Sequence, residues 1–373
     1  MKFTDKPVKR VVVKVGTSSL VDDQGAIDSQ KLGELVDQLV ILEEQGLEVI
    51  LVSSGAIRAG MERLGLTERP KTIPEQQASA AIGQGALMQK YAELFSAHEI
   101  LPAQVLVTRD DFHNRLRYLN IRNTLYTLLR FGCLPIINEN DTVATDEIRI
   151  GDNDTLSALV AASVGADLLV ILSDVDGLYD GDPRTGGDCK LIDEVPRITP
   201  EIEALGGGTS GVCGVGGMRT KIEAAKVATN CGVRMVIANA SRPNAIVDAA
   251  AGIMVGTRFL AKEVELNHRK RWIAFGNRVK GSIIINEGAR KMLVGRGKSL
   301  LAAGIVGCEG VFDLGDLVAV VDENNMQLAR GLTNYAASEL VLIRGKHSDE
   351  IENILGHKDF DEVIHRDNLV LGV

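Results

Sequence analysis

Four short polar stretches in this chain each follow directly on an apolar run of strand character: Lys14-Val15-Gly16-Thr17-Ser18, Ser53-Ser54-Gly55-Ala56, Asn138-Glu139-Asn140-Asp141 and Ser173-Asp174-Val175-Asp176-Gly177. Singly, each reads as an ordinary turn, because Gly, Ser, Asn and Asp are turn formers. Four of them at equivalent positions mark a site, since the loops at the carboxyl ends of parallel strands line one crevice. Lys14 ends an apolar strand, where an ammonium group without a counter-charge is costly to bury, so it either snorkels to solvent or meets an anion.

A second signal lies in GGGTSGVCGVGG, from Gly206 to Gly217, with seven glycines in twelve residues ahead of the helical stretch Met218 to Thr229. Bare backbone N–H groups approach a phosphate closely, and a helix N-terminus adds a favourable field for an anion. On its glycines alone the stretch reads equally well as a flexible linker. Arg219 and Lys221 tip the balance, because they stand in the first helical turn, where the macrodipole disfavours cations unless a polyphosphate lies alongside. No Gly-Lys-Ser/Thr follows the glycines, so the stretch does not support a P-loop NTPase. Gly151-Asp152-Asn153-Asp154 precedes a helical stretch from Thr155 to Val164, so one aspartate reads as its N-cap. The surplus carboxylate is available to align the lysines, or the magnesium that travels with ATP.

These residues need a scaffold, and the first two-thirds of the chain supply one. Strand-like runs at Val11 to Val15, Val49 to Val52, Gln104 to Val107, Leu134 to Ile137, Leu168 to Leu172 and Met235 to Ala238 alternate with helical periodicity. After Asp28, Leu32, Leu35, Val36, Leu39 and Leu42 fall on one helical face that Gly46 ends. The pattern predicts an α/β fold: an open, mainly parallel sheet sandwiched by helices. Near residue 259 the texture changes, with a basic run from Asn267 to Arg271 and then short strand signals at Gly281 to Ile285 and Asp316 to Val321. The expected domains are 1–258, a linker at 259–278, a small β-rich domain at 279–358 and a C-terminal tail at 359–373.

Composition bounds the function. The 373 residues are 45% hydrophobic and 24% charged, enough to bury two cores. A net charge of -9 gives no basic platform for nucleic acid. The first apolar run is too short for a secretory or membrane segment, and the five cysteines form no CxxC pair, so the expected location is the cytoplasm. The six histidines lack HxxxH or HExxH spacing, and no residue is assigned to a protein-built metal site.

In this order KVGTS, SSGAIRAG, NEND, IRIGDND, SDVDGLY and GVGGMRTK resemble the motifs of the amino acid kinase family over residues 8 to 258, and most of all those of its members that phosphorylate free glutamate on the side-chain carboxylate. The resemblance implies that Lys14 and Lys221 contact the transferring phosphoryl group and that Asp154 holds both lysines. It implies glutamate binding by Ser54, Asp141 and Asn153. Nucleotide contacts follow from Lys14, Ser173, Asp174, Val215, Gly216, Gly217, Met218, Arg219, Thr220 and Lys221. Val215 stands where members usually carry threonine, so one hydroxyl contact is lost there. ATP and Mg2+ are the implied cofactors, proline the implied feedback inhibitor of this first step toward proline, and a dimer or tetramer the implied assembly. From Gly281 through INEGARKML and GKSLLAAGI to GLTNY, the C-terminal part resembles a PUA domain. The rival reading is RNA binding through that domain, with the first domain as a ligand sensor.

Overall fold

Strand β1, Arg10–Val15, has β2, Glu48–Ser53, on one side and β5, Leu168–Ser173, on the other, both parallel to it. The computed structural model describes residues 7–22, 24–144, 153–181, 189–206, 217–261 and 279–372. The chain divides into two compact units, Met1–Asp111 with Leu119–Val264, and Phe112–Tyr118 with Glu265–Val373. Among the described residues no helix is long and apolar enough to cross a membrane.

The first unit holds an eight-stranded sheet in the order β3-β4-β2-β1-β5-β7-β8-β6, where β3 is Leu101–Val107, β4 Cys133–Glu139, β6 Glu194–Val195, β7 Arg234–Asn239 and β8 Thr257–Phe259. All pairs are parallel except β7 with β8. The six predicted strands are all present, each longer by one to three residues. β6 and β8, two and three residues long, carry no apolar run from which they could be read.

Local signals start and stop the helices. In α1, Ser29–Glu44, the Asp28 side chain accepts from Gln30 N and Lys31 N at 2.8 and 3.3 Å, and the predicted apolar face is buried. Two further helices, α2 at Ala56–Leu64 and α3 at Ile73–Ser96, press backbone to backbone. A Cβ at Gly60 would fall 1.8 Å from Ser79 O, and one at Gly83 would fall 1.8 Å from Ala56 O, so only glycine permits this approach. Thr72 and Glu75 form a capping box at the start of α3.

Val11, Val13 and Val15 pack with α1 in one apolar core. Strand alternation therefore turns Val12 and Lys14 to the opposite face. There the helix Asn153–Val164 lies against β1 and against the helix Met218–Asn230, and it is buried at every position. The second unit is a five-stranded sheet ordered β10-β9-β11-β12-β13, from Ile305–Gly310, Gly281–Ile285, Leu317–Val321, Gln327–Leu332 and Leu369–Leu371. The segment read as a tail after residue 358 belongs to this unit. Leu369–Leu371 pairs with β12, and Val363, Ile364 and Leu369 enter its core, where they shed apolar surface that a free tail would expose to water.

Candidate active site

Lys14 is the penultimate residue of β1, in register with Val52 of β2 and Ile171 of β5. Its Nζ lies 2.7 Å from Asp154 Oδ1. Lys221, in the first turn of the Met218–Asn230 helix, places Nζ 3.0 Å from Asp154 Oδ2. The hydroxyl of Thr220 lies 2.8 Å from the same oxygen. Lys14, Lys221 and Asp154 are 7%, 6% and 1% exposed, so one buried carboxylate gathers two buried ammonium groups. Burial pushes the Asp154 carboxyl up, and the two lysines more than offset this, holding it below its ordinary value.

The helix begins at Asn153, which sets Asp154 inside the first turn and not at a cap. The expected capping role therefore does not belong to Asp154, and Asp152 lies outside the described residues. Lys221 meets its counter-charge in Asp154, whereas Arg219 has its side chain 76% exposed and pairs with Glu223 at 3.5 Å. Gly217 is the N-cap residue and Met218 opens the helix. Val215, Gly216 and most of the glycine-rich stretch lie outside the described residues.

Next to Asp154, the Asn153 side chain turns toward β2 and β4. Its Nδ2 is 2.8 Å from Ser54 Oγ, 3.0 Å from Asn138 Oδ1 and 3.1 Å from Ser53 O. Asn138 Nδ2 in turn donates to Gln84 Oε1 at 2.8 Å, and Ser53 Oγ lies 2.8 Å from the buried Tyr91 hydroxyl. A network of amides and hydroxyls so oriented holds Ser54 and Asn153 in place. Sequence reasoning did not find Gln84. Its only local signal is a polar residue on the buried side of α3, one position after the close-packed Gly83.

Ser54, Asp141 and Asn153, the three residues expected to bind substrate, line one cleft of about 310 Å³, together with Asn138, Glu139, Arg58 and Arg69. Burial pushes the Asp141 carboxyl up to about 6, with Arg69 pulling the other way. Ser173 and Asp174 line a second cleft of about 240 Å³ with Val15, Ser18, Asn239 and Ser241. Ser173 Oγ lies 3.2 Å from Asp174 Oδ1. The first cleft collects residues from the ends of β2 and β4, the second from the ends of β5 and β7. β1, with Lys14, runs between those strand pairs.

The model of the amino acid kinase family matches residues 9–239, and that of the PUA domain matches residues 281–355. The chain belongs to the amino acid kinase family, and is thus an enzyme of the phosphoryl-transferring class. Glutamate 5-kinase of Caldanaerobacter subterraneus subsp. tengcongensis is 52% identical to it over 362 residues, 97% of either chain. Glutamate 5-kinase of Carboxydothermus hydrogenoformans is 51% identical over 367 residues, 98% of either chain. Within its family the chain therefore stands among the glutamate 5-kinases. Among solved structures, carbamate kinase from Giardia lamblia bound to AMP-PNP overlaps 68% of this chain and 99% of its own at 20% identity and a TM-score of 0.47, too loosely to bear on site or substrate.

Proposed function

We propose that this chain uses ATP to phosphorylate the γ-carboxylate of free L-glutamate, giving an acyl phosphate, and that the first unit, whose last strand β8 runs one residue past the expected boundary at 258, does this work ahead of a PUA domain from 279. The observation that carries the reading is the pairing of Lys14 and Lys221 on Asp154, beside a strand that separates two polar clefts. The donor nucleotide is assigned to the cleft with Ser173 and Asp174, and the acceptor amino acid to the cleft with Ser54, Asp141 and Asn153.

A glutamate side chain is ionised at neutral pH, so the nucleophile needs no general base. A γ-carboxylate oxygen forms a bond to the γ-phosphorus while the bond to the bridging oxygen of ADP breaks. Two anions must approach each other, and negative charge spreads over the transferring oxygens. Lys14 and Lys221 offset that charge. Asp154 supplies their preorganisation, because ammonium groups already held in a dry site need little rearrangement during reaction. Magnesium would supply further neutralisation on the β- and γ-phosphates. Among the described residues no group of three or more His, Cys, Asp or Glu side chains is placed to hold a metal ion.

Trapping the product with hydroxylamine tests the reading. Glutamate, ATP, magnesium and the full chain are expected to yield the γ-hydroxamate; better turnover of N-acetylglutamate would overturn the substrate assignment.

Asp141 is assigned to the α-ammonium of glutamate. Its carboxyl, raised to about 6, is charged above that pH and neutral below it. The KM for glutamate should therefore climb as pH falls below about 6, approaching tenfold per pH unit. Asp141→Asn should show a raised KM throughout, with this acid limb gone. An unchanged acid limb in the variant would exclude Asp141 as its source.

A further inference from the structure

Arg58 stands in the first turn of α2, three residues beyond the capping Gly55, and lines the same cleft as Ser54, Asp141 and Asn153. A cation there opposes the helix field. The counter-charge expected one turn further along the helix is Glu62. Glu62, however, accepts from Ile27 N at 3.2 Å and pairs with Lys90 at 3.6 Å. Among the described residues Arg58 forms no ion pair; Met61 Sδ, at 3.8 Å from Nη1, is its polar neighbour.

The guanidinium packs against a tight turn. A Cβ at Gly25 would fall 1.6 Å from Arg58 Nη2 and 2.4 Å from its Cζ, so the group lies against the bare backbone of a turn. Gly25 has φ of +80°, and the turn is tied by Asp22 Oδ1, which accepts from Gln24 N and Ala26 N at 2.9 Å each. The glycine thus leaves room for the charged fork of a residue that also lines the cleft. Such a fork is the natural bidentate partner of a carboxylate.

We infer that Arg58 reads the α-carboxylate of the substrate, so that Asp141 and Arg58 form a pair of opposite charges matched to the head of an unsubstituted α-amino acid. The assignment rests on the glutamate reading above. Arg69 lines the same cleft, but it is exposed and acts on the Asp141 carboxyl.

Hydroxamate formation by the full chain, with L-glutamate and with its 1-amide, tests the inference, because the amide keeps the reacting carboxylate and lacks the α-carboxylate charge. Arg58→Ala should raise the KM for glutamate roughly 10- to 100-fold while turnover at saturation and the KM for ATP stay within about threefold. Retained turnover also shows that the variant is folded. The preference of the unaltered protein for glutamate over the amide should shrink by the same factor. Arg58→Lys should fall between, since a point charge replaces a fork. An Arg58→Ala protein with the original KM and preference would overturn the inference, as would loss of the preference in Arg69→Ala with Arg58→Ala unaffected. An unaltered protein inert toward glutamate would sink the substrate reading as well, whereas an active one with an unaffected Arg58→Ala would sink this inference alone.

Discussion

Lys14→Ala and Lys221→Ala are each expected to lose at least about a hundredfold in turnover while remaining folded. The magnitude is that of removing one preorganised donor from a developing anion. The survival of the fold follows from charge counting at the site. Asp154 is shared between two ammonium groups at 2.7 and 3.0 Å, so deleting either lysine leaves a neutral pair and no orphaned carboxylate. Single-turnover rates at saturating glutamate and ATP, alongside circular dichroism, check both halves. Turnover within a few-fold of the unaltered protein in either variant would remove that lysine from the chemistry.

The second large effect is expected at Asp154 itself, and there the fold should suffer too. Asp154→Asn leaves two buried like charges facing a neutral amide. Removing one partner of a buried ion pair typically costs about 3–5 kcal/mol. Turnover should fall with it, because the lysines then lose the group that holds them. Both Tm and the urea midpoint should drop, and kcat should fall by two orders of magnitude or more. A kcat loss at full stability would mean that the lysines are held by other groups. The pH dependence has a definite sign. The Asp154 carboxyl titrates below its ordinary value of 3.8 in the folded chain, so its contribution to stability is fully present above that value. It is lost as pH falls through the lower folded value, and Asp154→Asn should lack that acid-side component.

Much of this architecture was legible from spacing. The strands of a parallel sheet are buried on both faces and read as continuous apolar runs, which is why β1, β2, β4, β5 and β7 were found close to their true limits. β6 and β8 were not, because a strand of two or three residues carries no pattern of its own. The tail reading failed for a related reason. Leu369–Leu371 is recognisable as a strand only through its pairing with β12. At the site, the motifs after β1, β2, β4 and β5 were visible as polar stretches behind apolar runs. The amide network from Gln84 through Asn138 to Asn153 was not, since its links span 54 and 15 residues and depend on how α3 and the Asn153–Val164 helix meet the sheet.

The sequence by itself determined the six longer strands of the first sheet and the helical stretches between most of them, and that Lys14 ends a strand where it meets solvent or an anion. Those are properties of neighbours within one turn or one pleat, and the chain's periods of 3.6 and 2 record them directly. The resemblance implied that Asp154 holds two distant lysines, but only the tertiary structure gave the distances and the place of Asp154 inside the first helical turn, and only it decided that Arg58 packs on Gly25 while Glu62 is engaged by Lys90. An ion pair is set by where packed elements bring charges within about 3 Å, a separation at which Coulomb energy in a dry interior is large. No local period encodes that distance.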